Sequence, residues 1–100
     1  MSTCVNRLTI VGPAREVTAF DRGAVWVSAA GARHPELLEH SPGRHAWQFE
    51  TDTPPLKFLR IASRCWPHLV FLLDYDREAQ RLKGLIKARN GRLRHCRVRY

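Results

Sequence analysis

The chain has 100 residues, 44% hydrophobic and 26% charged, ordinary values for a globular domain that give no compositional case for disorder. Seventeen Lys and Arg against nine Asp and Glu leave a formal charge of +8. No segment approaches the roughly 20 apolar residues of a membrane span, Met1 to Cys4 carries no secretory signature, and the length suits one core, so a single domain over 1–100 without a membrane partner is expected.

Cys4 to Val11 alternates as a half-buried strand does, with Cys4, Leu8 and Ile10 on one face and Arg7 and Thr9 on the other. Gly12-Pro13 ends it. Pro13 suits the first turn of a short helix that turns Val17 and Phe20 inward and stops near Gly23. Ala24 to Ala29 reads as a second strand around Trp26. Gly31 to His45 is the least regular stretch, with a helical turn at Pro35 to Glu39, and alternation resumes from Ala46 to Thr51, where Trp47 and Phe49 share a face.

Thr53-Pro54-Pro55 predicts a helix start, the Thr53 hydroxyl accepting from an orphan N–H and Pro54 taking the first helical position. Leu56, Leu59, Ala62 and Trp66, flanked by Phe58 and Ile61, form its apolar stripe, and Pro67 ends it. Leu69 to Leu73 is apolar at every position, which predicts a central strand buried on both faces.

Asn90-Gly91 between two strand-like runs is the strongest short hairpin signal, a two-residue type I′ turn. With that turn Arg89 opposes Arg92, Lys87 opposes Arg94, Leu85 opposes Cys96 and Lys83 opposes Val98, all on one face. The opposite face, Leu82, Gly84, Ile86 and Ala88 against Arg99, Arg97, His95 and Leu93, is apolar near the tip and suited to lie under helices. The basic face then looks outward. The whole element order predicts an α+β fold of the ferredoxin-like βαββαβ kind, with an additional C-terminal β-hairpin strand.

The charge is as uneven as this hairpin implies. Residues 1–50 hold five cations and five anions, whereas residues 51–100 hold twelve cations and four anions, and the last twenty residues contain no acid. Clustered cations attract polyanions over a Debye length of about 8 Å in physiological salt. Like charges opposed across a sheet repel, so the face gains from a bound anion. The candidate binding residues are therefore Lys83, Lys87, Arg89, Arg92 and Arg94, with nucleic-acid backbone as the first partner and an acidic protein as the second.

Three pieces of the chain resemble the YubB ferredoxin-like family, uncharacterised proteins of bacteria, their plasmids and phages. Cys4-Val5-Asn6-Arg7-Leu8-Thr9-Ile10-Val11-Gly12 is similar to that family's Cys-x-Asn-x-Leu-x-Ile-x-Gly strand. Phe49-Glu50-Thr51 followed by Pro54-Pro55 resembles its strand leading into a paired-proline helix start. Pro67 to Tyr75, with Gly84, resembles its Pro-x-Leu-x-Phe-x-Leu-x-Tyr strand and the glycine of the next. The chain departs from the pattern at Asp52-Thr53, where the family has Trp-Ser, and in its all-basic end. The family has no established activity, so the resemblance implies a fold and no catalytic residues.

Catalytic and metal chemistry find little support. His34, His40 and His45, at spacings of six and five, match no helix face or tight turn that would gather metal ligands, and read as a solvated loop. His95 and Cys96 are neighbours on a strand, so their side chains diverge; Cys96 beside Arg94 reads as a plain strand cysteine. Asp74 and Asp76, with Glu78, read as a solvated turn after the central strand, paired with Arg77 or Arg81, rather than two carboxylates converging on a pocket. Arg81 to Ile86 lacks the exposed aromatics of an RNA-recognition strand, since Leu85 and Ile86 occupy those positions. Cys4 and Cys65 read as core residues, and three scattered cysteines fit a reducing cytoplasm. The expectation is a binding module that uses no cofactor or metal and is not an enzyme.

Overall fold

The computed structural model describes residues 3–100; Met1 and Ser2, part of the segment expected to carry no secretory signature, lie outside the described residues. In chain order the elements are β1 (Cys4–Val11), α1 (Ala14–Asp21), a 3-10 turn (Arg22–Ala24), α2 (Trp26–Ala30), β2 (Arg33–Ser41), β3 (Arg44–Thr51), α3 (Leu56–Cys65), β4 (Val70–Arg77), a second 3-10 turn (Glu78–Gln80), β5 (Leu82–Arg89) and β6 (Arg92–Arg99). The structure is α+β. Its six strands form one sheet in the order β2-β3-β1-β4-β5-β6, with every neighbouring pair antiparallel. No described helix is long and apolar enough to cross a membrane.

Strand alternation divides the sheet into two unlike faces. Cys4, Leu8 and Ile10 of β1, Phe49 of β3, Phe71, Leu73 and Tyr75 of β4, and Ile86 and Ala88 of β5 point to one side and enter a single core cluster. Val17, Phe20, Trp26, Leu59 and Ala62 cover them from the helices. Burying a side chain such as Phe71 or Leu59 contributes about 1.5–3 kcal/mol, so this one covered face supplies most of the apolar driving force. Among the described residues the helices pack on this face, and the other face of the sheet carries none.

The second strand lies later than its sequence predicts. Residues 26–30 are helical, because Trp26 works as a helix residue: its ring stacks on Phe20, meets Trp47 and Phe49 edge-on, and its Nε1 donates to Asp21 Oδ1 at 2.7 Å. A strand there would turn Val25 and Val27 together away from Trp26, whereas the helix buries Trp26 and half-buries Val27 and Ala30. The stretch predicted as irregular is instead the edge strand β2, and the helical turn at Pro35 to Glu39 is absent. Two register shifts, at Arg33/Glu36 and Leu37/Glu39, and a positive φ at His34 absorb Pro35, which an edge tolerates.

Further corrections concern caps and burial. Thr53 does not cap α3: the position before the helix is Pro55 and no side chain caps it, while the Thr53 carbonyl accepts from the Thr51 hydroxyl. The helix stripe keeps Leu59 and Ala62, with Phe58 and Trp66 partly buried against the core and Ser63 buried beside them, while Leu56 and Ile61 are exposed. β4 is central in the sheet but has a bare side, so Leu72 is 39% exposed. Cys65 is exposed on α3, while Cys4 is buried.

The C-terminal hairpin has the predicted register throughout, from Leu82 opposite Arg99 to Arg89 opposite Arg92. Asn90 and Gly91 both take positive φ, 51° and 78°, as a type I′ turn requires. Its tip is tied to the helical layer, because Gly91 N–H donates to the buried Ser63 hydroxyl at 2.9 Å.

Candidate functional site

The sheet's uncovered face is the candidate site, and its map follows from the registers. On β5 it carries Lys83, Leu85, Lys87 and Arg89, and on β6 Arg92, Arg94, Cys96 and Val98. On β4 it carries Leu72, Asp74 and Asp76, and on β1 Val5, Arg7 and Thr9, with Gln48 of β3 beside Arg7. Lys83, Lys87, Arg89, Arg92 and Arg94 are all exposed on this face. Among the described residues none of the five lies within ion-pair distance of a carboxylate; the salt bridges join Arg33 to Asp52, Arg44 to Glu39, His45 to Asp21 and His68 to Glu16.

Lys87, Arg89, Arg92 and Arg94 form a compact two-by-two array at the hairpin tip. Strand geometry spaces it at about 4.8 Å across the ladder and about 6.8 Å along it. Lys83 stands apart at the other end, opposite Asp76 of β4 and Val98 of β6. Its ammonium lies 5.1 Å from the centre of the Tyr100 ring, whose hydroxyl donates to Asp76 at 2.8 Å. That hydrogen bond to the carboxylate holds the Tyr100 phenol pKa above its usual value.

An aliphatic strip runs obliquely across the face, from Leu72 in the row of Lys87, through Leu85, to Val98 and Val5 in the row of Lys83. Leu85 and Val98 are each 64% exposed, and Val5 and Leu72 about 40%. A groove of about 450 Å³ lies over this strip, with Asp74, Arg7 and Gln48 on its walls. A second, about 400 Å³, shares Asp74, Leu85 and Cys96 with it and reaches Lys87 and Arg94. Sequence reasoning places Leu85, Cys96 and Val98 on this face but misses the residues that β1, β3 and β4 bring beside them, Val5, Arg7, Gln48, Leu72 and Asp74. Asp74 and Asp76 lie within β4 and not in a turn, and the pairing of Arg7 with Asp74 joins residues far apart in the chain.

The helix-covered side holds two polar constellations. Asp21, its side chain 6% exposed, accepts from His45 Nδ1 at 2.7 Å and Trp47 Nε1 at 2.9 Å as well as from Trp26, fastening the end of α1 to β3. His40 stacks on His45 at 4.2 Å, so these two histidines belong to the β2–β3 hairpin and not to a loop. On β4 and β6, Tyr75 Oη and His95 Nε2 lie 2.7 Å apart. Desolvation pushes the Tyr75 pKa up and the His95 pKa down, Arg97 adding to the latter.

Comparison of the chain with protein-family models, curated proteins and solved structures finds no match.

Proposed function

We propose that the chain is a ferredoxin-like binding module whose uncovered sheet face engages the phosphate backbone of a nucleic acid. The observation that carries this reading is the array of Lys87, Arg89, Arg92 and Arg94 on one bare face, exposed and, among the described residues, without a carboxylate partner, in a chain of charge +8. Four cations brought together by backbone register repel one another, and a polyanion removes that repulsion while releasing its own counterions. Lys83 extends the footprint toward the far end of the hairpin.

The order β2-β3-β1-β4 of the first four strands, with helical segments between β1 and β2 and between β3 and β4, supports the βαββαβ part of the proposal. β5 and β6 are then the hairpin appended to it. The proposed kinship with the YubB family rests on the sequence motifs alone. The motif residues have structural work: the Asn6 amide donates to Thr51 Oγ1 at 2.9 Å and to the Cys4 and Phe49 carbonyls. A cytoplasmic setting belongs to the same reading, supported by three unpaired cysteines.

The second reading is a module that binds an acidic protein, and the exposure of Leu85 and Val98 favours it, since aliphatic patches mark protein interfaces. Anisotropy of a labelled single-stranded oligonucleotide in low salt separates the two. Nucleic-acid binding that falls at least tenfold when Arg89, Arg92 and Arg94 are changed to Glu supports the first. Absence of binding to any nucleic acid leaves the second.

A further inference from the structure

We infer that the uncovered face takes an unpaired strand and reads its bases through Asp74, with guanine the preferred base; this rests on the phosphate-binding reading above. The argument starts from a conflict. A surface built only to hold phosphates gains nothing from a carboxylate in its midst, yet Asp74 is exposed at the centre of the face, and among the described residues no hydrogen bond or ion pair engages it.

The surroundings of Asp74 resolve the conflict. It borders both grooves: one reaches the phosphate-binding cations Lys87 and Arg94, the other has Val5, Leu85 and Val98 as an aliphatic floor. A volume of about 450 Å³ falls within the roughly 300–1,000 Å³ of small-ligand sites, which pair an apolar lining with a few fixed polar groups. A base lying on Leu85 and Val98 turns its edge to Asp74, Arg7 and Gln48, while its phosphate sits on Lys87 and Arg94.

The aliphatic floor also selects the strand state. A duplex presents its phosphates and hides the faces of its bases, so Leu85 and Val98 would stay wet or lie against charge. An unpaired strand offers both a base face and a free Watson–Crick edge. A carboxylate accepts only, through two parallel oxygens, and the adjacent N1–H and N2–H donors of guanine are its bidentate match. Cytosine offers one such donor beside an acceptor, and uracil one donor between two carbonyls.

The test uses three ten-nucleotide single strands: all uridine, alternating uridine and guanosine, and alternating uridine and inosine, which lacks the N2 amine. The wild-type protein binds the guanosine strand about tenfold tighter than the uridine strand, as a bidentate pair requires, with the inosine strand between. Asp74→Ala brings the three to within about threefold of one another and leaves uridine binding unchanged or stronger; Asp74 is exposed and lies outside the core cluster, so its removal leaves the packed interior intact. Equal wild-type affinity for all three overturns the inference and leaves phosphate binding standing, as does an Asp74→Ala variant that gains affinity for all three alike. A duplex of the same sequence that binds more tightly than the single strand also overturns it. No binding of any strand in low salt removes both readings.

Discussion

Arg89 and Arg92 face each other across the closing pair of the β5–β6 hairpin, on the side of the sheet that no helix covers. Neither lies within ion-pair distance of a carboxylate among the described residues. The protein therefore holds an unfavourable pair, whose repulsion an anion would relieve.

Arg92→Glu converts that pair from repulsive to attractive. Its expected effect is opposite on stability and on binding. Urea unfolding should show a gain of about 0.2–1 kcal/mol, the size of a cross-strand charge pair, while affinity for a single-stranded oligonucleotide drops. A loss of stability would mean that Arg92 already has a favourable role in the free fold.

Gly84 sits under the ring of Tyr75, and a Cβ at this position would run into that ring. Gly84→Ala should cost about 1–3 kcal/mol by overpacking. Combined with Tyr75→Ala it should cost less than the two single changes added together, because the second removes the atoms that the first strikes. Additive losses in denaturant titration would show that Tyr75 does not occupy the space over Gly84.

Asp21 accepts from Trp26, Trp47 and His45 where its side chain is nearly inaccessible. Asp21→Asn replaces one accepting oxygen with a donor and leaves at least one buried N–H unpaired. The expected destabilisation is about 1–3 kcal/mol. Tryptophan emission should shift to the red as Trp26 and Trp47 lose their shared partner. Unchanged stability and emission would remove Asp21 as the fastener of α1 to β3.

The Tyr75–His95 contact gives stability a pH dependence of definite sign. Desolvation holds the folded-state pKa of His95 below its ordinary 6.5. The unfolded chain therefore takes up the proton first, and this contribution is full above pH 6.5 and is lost as pH falls toward the folded value. His95→Gln should flatten the stability profile in that acidic window and leave it unchanged near pH 8. A His95→Gln profile parallel to the wild type would contradict the assignment.

Much of the fold was legible because its signals are local. The Asn90-Gly91 turn sets the register of the last two strands by backbone geometry alone, so the five cations could be placed on one face before any contact was known. The alternation of Cys4 to Val11 and the inward Val17 and Phe20 were equally local. Residues 24–41 differ from their sequence expectation for the opposite reason. Val25 and Val27 look like strand residues, but Trp26 is held in a helix by Asp21, Phe20, Trp47 and Phe49, contacts no short window contains. Asp74 reads as a turn residue because β4 runs on to Arg77 through polar positions, whose backbone is paired with β1 or β5 whatever the side chain.

Binding of a labelled single-stranded oligonucleotide, measured across a salt series, tests the central claim most directly. The five hairpin cations should give a slope of about −3 to −4 in log affinity against log salt concentration. Changing Arg89, Arg92 and Arg94 together to Glu should flatten that slope as well as weaken binding. An affinity that ignores salt, or one that the triple change leaves intact, would contradict the account.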